Sequence, residues 1–120
     1  MKINSAIFRA YDIRGKYPEE LNEEVAFLVG LSFVKLLRMR NPKIVVGRDN
    51  RLSSNSLLKS LTRGLVEAGA KVIDIGLSIS PMLYWAVGFY GFDAGINITA
   101  SHNPSEYNGF KMVKKNAVPV

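Results

Sequence analysis

The sequence predicts an α/β domain with a mixed, mostly parallel sheet and helices on both faces. Two observations carry this. Short apolar runs rich in β-branched residues alternate with longer segments of helical periodicity. The helical segments, at ~11–17 residues, are long enough to serve as crossovers between strands of one sheet. The chain of 120 residues, with 48% hydrophobic and 22% charged residues, has room for one such domain at most and is globular rather than disordered.

An extended segment at about Ile7–Tyr11 comes first. A helix is predicted from Glu23 to Met39, with Asn22 as its N-cap and Glu23 and Glu24 at the positive end of its dipole. Val25, Leu28, Val29, Ser32 and Leu36 would share its inner face. Asn41-Pro42 ends it. Lys43–Val46 reads as a buried strand, and Gly47–Ser53 as a loop. A second helix covers Ser54–Ala68, with Leu57, Leu58, Leu61 and Leu65 inward and Gly69 at its C-terminal cap. Val72–Ile75 is the next strand. Ser80 and Pro81 suit the cap and first position of a third helix ending near Gly91. Asp93–Thr99 is a strand, and another starts at Phe110.

The net charge is +6 and the isoelectric point near 9.7, which favours an anionic ligand. The basic residues are scattered and not interleaved with aromatics, which argues against nucleic acid as partner. There is no cysteine, so disulfides and thiolate metal sites are excluded, in keeping with a cytoplasmic protein. No apolar run reaches the ~20 residues of a membrane span, and Met1–Ala6 lack the apolar core of a secretory signal.

The densest chemistry lies between the last two strands, in Thr99-Ala100-Ser101-His102-Asn103-Pro104 and Tyr107-Asn108-Gly109-Phe110-Lys111. This stretch sets a hydroxyl, the sole imidazole and a lysine on one turn-rich loop, where a rigid scaffold can aim a nucleophile. It resembles the active-site serine loop of the α-D-phosphohexomutases. Three further segments resemble the family in the same order: Phe8-Arg9-Ala10-Tyr11-Asp12-Ile13-Arg14-Gly15, Val46-Gly47-Arg48-Asp49-Asn50-Arg51-Leu52-Ser53 and Ile75-Gly76-Leu77-Ser78-Ile79-Ser80-Pro81. The first of these is closest to the phosphomannomutase/phosphoglucomutase branch.

The resemblance implies an intramolecular phosphotransferase that interconverts hexose 1-phosphate and hexose 6-phosphate, mannose or glucose, through a sugar bisphosphate. Ser101 would carry the phosphoryl group, loaded by an activator such as glucose 1,6-bisphosphate. His102 would support it, and Lys111, expected at a strand start, would act as general acid/base or as a phosphate-steering charge. Arg14 would reach the phosphoserine, with Tyr11 and Arg48 lining the substrate site. Asp49 is expected in a structural ion pair, and Asn103 and Pro104 as turn-shaping residues. A magnesium ion is implied, bound here only through the Ser101 phosphate, its remaining ligands lying in a following domain. On this reading residues 1–120 are an incomplete first domain, inactive alone and prone to self-association through uncovered apolar surface. The competing reading is a non-catalytic basic α/β module that binds anions or another chain, with Ser101 as an incidental turn residue.

Overall fold

In the computed structural model, residues 12–77, 86–87, 89–100, 103–114 and 118–119 are described. Strand β1 (Asp12–Lys16) leads into helix α1 (Glu23–Leu37). Strand β2 (Lys43–Arg48), helix α2 (Ser54–Glu67) and strand β3 (Lys71–Leu77) follow. The chain then returns through β4 (Ala94–Ile98), β5 (Tyr107–Lys114) and the short β6 (Val118–Pro119).

These strands form one mixed sheet in the order β1-β5-β4-β2-β3, with β6 beside β5. β2 runs parallel to both β3 and β4, which crossover connections of helical length permit. β5 is antiparallel to β4, β1 and β6. Parallel pairing therefore has a smaller share than the sequence reading gave it, because the link from β4 to β5 is a short loop that simply turns the chain back.

The main core lies on the sheet face covered by α1 and α2. Ile44 and Val46 of β2, Ile96 and Ile98 of β4 and Phe110 of β5 meet Val25, Val29 and Phe33 of α1 and Leu57, Leu61 and Leu65 of α2. On the opposite face Val45 and Val113 pack with Val87, a residue of helical backbone, and with Ile75 and Phe92. The predicted start of that third helix, at Ser80-Pro81, lies outside the described residues.

The Asn22 cap is present: its side chain accepts from the Val25 amide at 3.0 Å. α1 ends two residues earlier than predicted, at Leu37, with Arg38 in the left-handed region. Its buried face is also rotated from the expected one. Ala26, Gly30, Phe33 and Val34 are buried, whereas Ser32 is exposed and Leu36 is 61% exposed. The two helices approach most closely where glycine faces glycine: a Cβ on Gly30 would lie 3.0 Å from the Gly64 carbonyl carbon. That contact selects the face.

β5 begins three residues before the predicted Phe110, because Tyr107–Lys111 pair with Lys16–Asp12 of β1. Lys111 is thus mid-strand rather than at a strand start. It is in register with Asp12 on one side and Asn97 on the other.

Candidate functional site

The carboxyl ends of β2 and β4 lie side by side, with Arg48 opposite Ile98. Loops leaving this edge of an open α/β sheet are the usual place for a ligand. Two loops meet here, one joining β2 to α2 and one joining β4 to β5.

Asp49 opens the first loop. Its amide donates to the Ile98 carbonyl at 2.9 Å, which ties the loop to the end of β4. Its carboxylate gathers donors on both oxygens. Oδ1 accepts from Ser54 Oγ at 2.5 Å and from the Arg51 amide at 3.1 Å, and Oδ2 meets Arg51 Nη1 at 2.5 Å. Burial alone would oppose ionisation. Hydrogen bonds from Ser54, the Arg51 amide, Thr99 and the Arg51 guanidinium outweigh it and hold the carboxyl below the usual carboxylate range. Asp49 forms the ion pair expected of it, with Arg51 as partner.

The second loop is held at Asn103. Arg14 Nη1 donates to its side-chain oxygen at 2.9 Å, and Arg51 Nη2 donates to its backbone carbonyl at 2.7 Å. Its amide donates to the Ala100 carbonyl at 3.1 Å, so the residues on either side of Ser101-His102 are tied to each other. Thr99 N donates to Gly109 O at 2.9 Å, closing the loop onto β5. Ser101, His102 and Tyr11 themselves lie outside the described residues.

Asn108, wholly buried, fastens the far side of the same loop. Its Nδ2 donates to Ser53 Oγ at 2.8 Å and Ser54 Oγ at 2.9 Å, and its Oδ1 accepts from the Gly109 amide at 2.9 Å. The Ser53 side chain makes no capping bond to α2. Its hydroxyl serves Asn108 instead.

Strand alternation sorts the remaining positions. Phe110 and Met112 of β5 pack toward α1 and α2, and Val113 toward the other face. Lys111 therefore shares the second face with Val113. Arg14, in register with Gly109 and following the core residue Ile13, is on that same face, two positions along from Lys111. Arg48 is not brought to this group. By strand alternation it shares the face of the core residues Ile44 and Val46, and among the described residues its guanidinium donates to the neighbouring Asp49 carbonyl, at 3.3 Å. Within this segment it is Arg51 that reaches the loop, at the Asn103 carbonyl. The signal was the spacing Asp49-x-Arg51, which lets an aspartate accept from the amide two residues on and from that residue's own side chain. Asn103, assigned only to the turn, does shape it, and is also the anchor for both arginines.

A cleft of about 340 Å³ flanks the loop, lined by Tyr17, Leu52, Ser53, Ser56, Ser105 and Glu106. Beside it Glu23 accepts from Tyr17 at 2.5 Å and from Ser56 at 2.6 Å. Burial raises the Glu23 carboxyl, but these two bonds prevail and lower it; the bond to Glu23, then burial, pushes the Tyr17 phenol up. A larger cleft of about 630 Å³ lies along α2, lined by residues such as Lys59, Arg63 and Asp74, away from this edge. Among the described residues no helix is long and apolar enough to cross a membrane.

Comparison with known proteins agrees with this arrangement. The family described as phosphoglucomutase/phosphomannomutase, alpha/beta/alpha domain I, matches residues 5–120. A phosphomannomutase of Klebsiella pneumoniae is 51% identical over 113 residues, which cover 94% of this chain and 71% of that protein. A phosphomannomutase of Escherichia coli is also 51% identical over 113 residues, but this chain spans only 24% of its length. The crystal structure of a phosphoglucomutase/phosphomannomutase family protein from Burkholderia thailandensis superposes with a TM-score of 0.88 at 39% identity, covering 99% of this chain and 28% of that one. With the family matched from residue 5 to residue 120 on a mixed sheet whose carboxyl edge gathers the serine loop, this chain belongs to the phosphoglucomutase/phosphomannomutase family, over its domain I.

Proposed function

We propose that the chain supplies the phosphoryl-carrying serine of a phosphohexomutase acting on hexose 1- and 6-phosphates, with Ser101 as the carrier. The observation that supports this most is the double grip on Asn103. Guanidinium groups from two sequence-distant segments hold the loop two residues past Ser101. Phosphoryl transfer depends on positioning and charge neutralisation more than on special covalent chemistry, and a stiffened loop among cations answers both needs.

A hexose phosphate hydroxyl attacks the phosphorus of phosphorylated Ser101. As the new P–O bond forms, the bond to Ser101 Oγ breaks and its electron pair stays on that oxygen, which takes up a proton. The proton of the attacking hydroxyl passes to a base, His102 or Lys111. The sugar bisphosphate then turns over, and Ser101 accepts its other phosphoryl group by the reverse of these steps. Arg14 steers the phosphate charge. The family resemblance also implies magnesium. Among the described residues no three acidic or imidazole side chains gather where one ion could be held, so they do not fit the metal as a complete site, and no step here is routed through it.

The test is phosphoryl uptake from glucose 1,6-bisphosphate in the presence of magnesium, read by intact mass and peptide mapping. A gain of about 80 Da, for one phosphate ester, is expected on Ser101 and is lost in Ser101→Ala. Uptake that persists in Ser101→Ala would overturn the assignment.

A further inference from the structure

We infer that Arg51, through Asn103, is a positioning residue for Ser101. The inference rests on the reading of Ser101 as the phosphoryl carrier and assigns Arg51 a part in that transfer.

The connection can be followed atom by atom. The start of α2 fixes Asp49 through Ser54 Oγ, and β4 fixes it through the Ile98 carbonyl. Asp49 then holds Arg51 Nη1 at 2.5 Å. The other terminal nitrogen, Nη2, is thereby aimed at the Asn103 carbonyl, 2.7 Å away. A carbonyl gripped in this way sets the orientation of the peptide plane that follows Asn103. The amide of the same residue is bonded to Ala100, and its side chain to Arg14. Asn103 is thus held on three sides, and Ala100, at the other end of the Ser101-His102 pair, is buried. The chain is thus fixed on both sides of the Ser101-His102 pair, and fixed flanks are what an aligned transfer needs.

The geometry requires a fork. Arg51 bridges two acceptors, Asp49 and Asn103, from separate nitrogens of one rigid plane. A lysine ammonium keeps the charge but is a single point on a flexible stem. Charge conservation should therefore restore the function only in part. The pair is also shielded, with Arg51 and Asp49 side chains 16% and 19% exposed, so the bonds are not dissolved in bulk water.

The experiment compares the full chain with Arg51→Gln, Arg51→Lys and, as a control on the outer side of α2, Lys59→Gln. Two quantities are read: the exchange rate of the Asn103 amide against that of strand amides such as Ile96, and the rate of phosphoryl uptake on Ser101 from glucose 1,6-bisphosphate. For Arg51→Gln, loss of a charge-assisted bond should speed Asn103 exchange by about tenfold or more, slow uptake by about the same factor, and leave the strand amides within about twofold. Arg51→Lys should fall between, and Lys59→Gln should match the parent. If uptake in Arg51→Gln equals the parent rate, or if Asn103 and the strand amides speed up together, the positioning role is refuted. Uptake that persists in Ser101→Ala would instead strike at the carrier assignment itself.

Discussion

Replacing Gly64 by alanine sets two well-measured effects against each other, and the structure decides the sign. Alanine is the better helix former by roughly 1 kcal/mol, so on propensity alone α2 should be strengthened. The added methyl, however, has nowhere to go. Built on the backbone, it collides with the Phe27 carbonyl oxygen of α1 and sits 3.1 Å from the Phe27 carbonyl carbon and 3.2 Å from Gly30 Cα. Carbon atoms prefer separations of about 3.5–4.0 Å, so α1 and α2 must part by several tenths of an ångström. The obstacle is backbone and cannot rotate aside. Overpacking of this kind costs about 1–3 kcal/mol, and here its upper part applies, because parting the helices also loosens Leu61 and Leu65, which are wholly buried between helix and sheet. The net loss is then about 1–2 kcal/mol, or about 5–10 °C in melting temperature for a domain of this size. Thermal unfolding followed by circular dichroism reads it directly. A melting temperature equal to or above that of the parent would refute the close-crossing argument, since propensity would then have won.

Asn108→Ala removes the donor to both Ser53 and Ser54 hydroxyls in a buried place, and denaturant titration should show a loss of about 1–3 kcal/mol. Gly109→Ala drives a methyl into the Ile13 carbonyl, with Arg14 Cα 3.0 Å away; amide exchange across Asp12–Lys16 should rise by about tenfold or more while β2 and β3 keep their protection. Asp49 and Glu23 both have carboxyls lowered in the folded chain. Their contribution is therefore complete above the unfolded carboxylate range, about pH 4, and is lost as pH falls through the lower folded values. Urea midpoints measured between about pH 5 and pH 2 should fall, and Asp49→Asn should flatten that fall; an unchanged slope would refute the assigned bonds.

The sequence disclosed α2 more fully than α1 for a physical reason. In α2, Leu57, Leu58, Leu61 and Leu65 stand among polar residues, so only one face can be buried, and all four are. In α1 the run Val25-Ala26-Phe27-Leu28-Val29-Gly30-Leu31 is apolar on nearly every side, and periodicity alone does not choose between faces. The choice is made by Gly30 meeting Gly64, a contact between residues 34 positions apart. The start of β5 was hidden similarly. Asn108-Gly109 carries turn chemistry, yet pairing with β1 and the buried bonds of Asn108 hold it extended. Local propensity yielded to tertiary contact. In the candidate site, the ion pair of Asp49 was legible because its partner Arg51 lies only two residues away in the same loop. The bond from Arg51 to Asn103 spans 52 positions and leaves no local trace.

The placing of charge at this edge follows from the identity of one neutral residue. Asn103 takes Arg14 on its side-chain oxygen and Arg51 on its backbone carbonyl, and a carboxylate side chain there would have bound Arg14 more strongly. It would also have offset part of the positive charge. With an amide instead, Asn103 brings no negative charge to the point where Arg14 and Arg51 meet the loop. The loop is therefore fixed by charged donors without a further carboxylate being spent on it. Under the proposed function, a phosphate brought there would meet donors already arranged, with little reorganisation left to make. On that reading, the two arginines that hold Asn103 would serve the loop and its ligand alike.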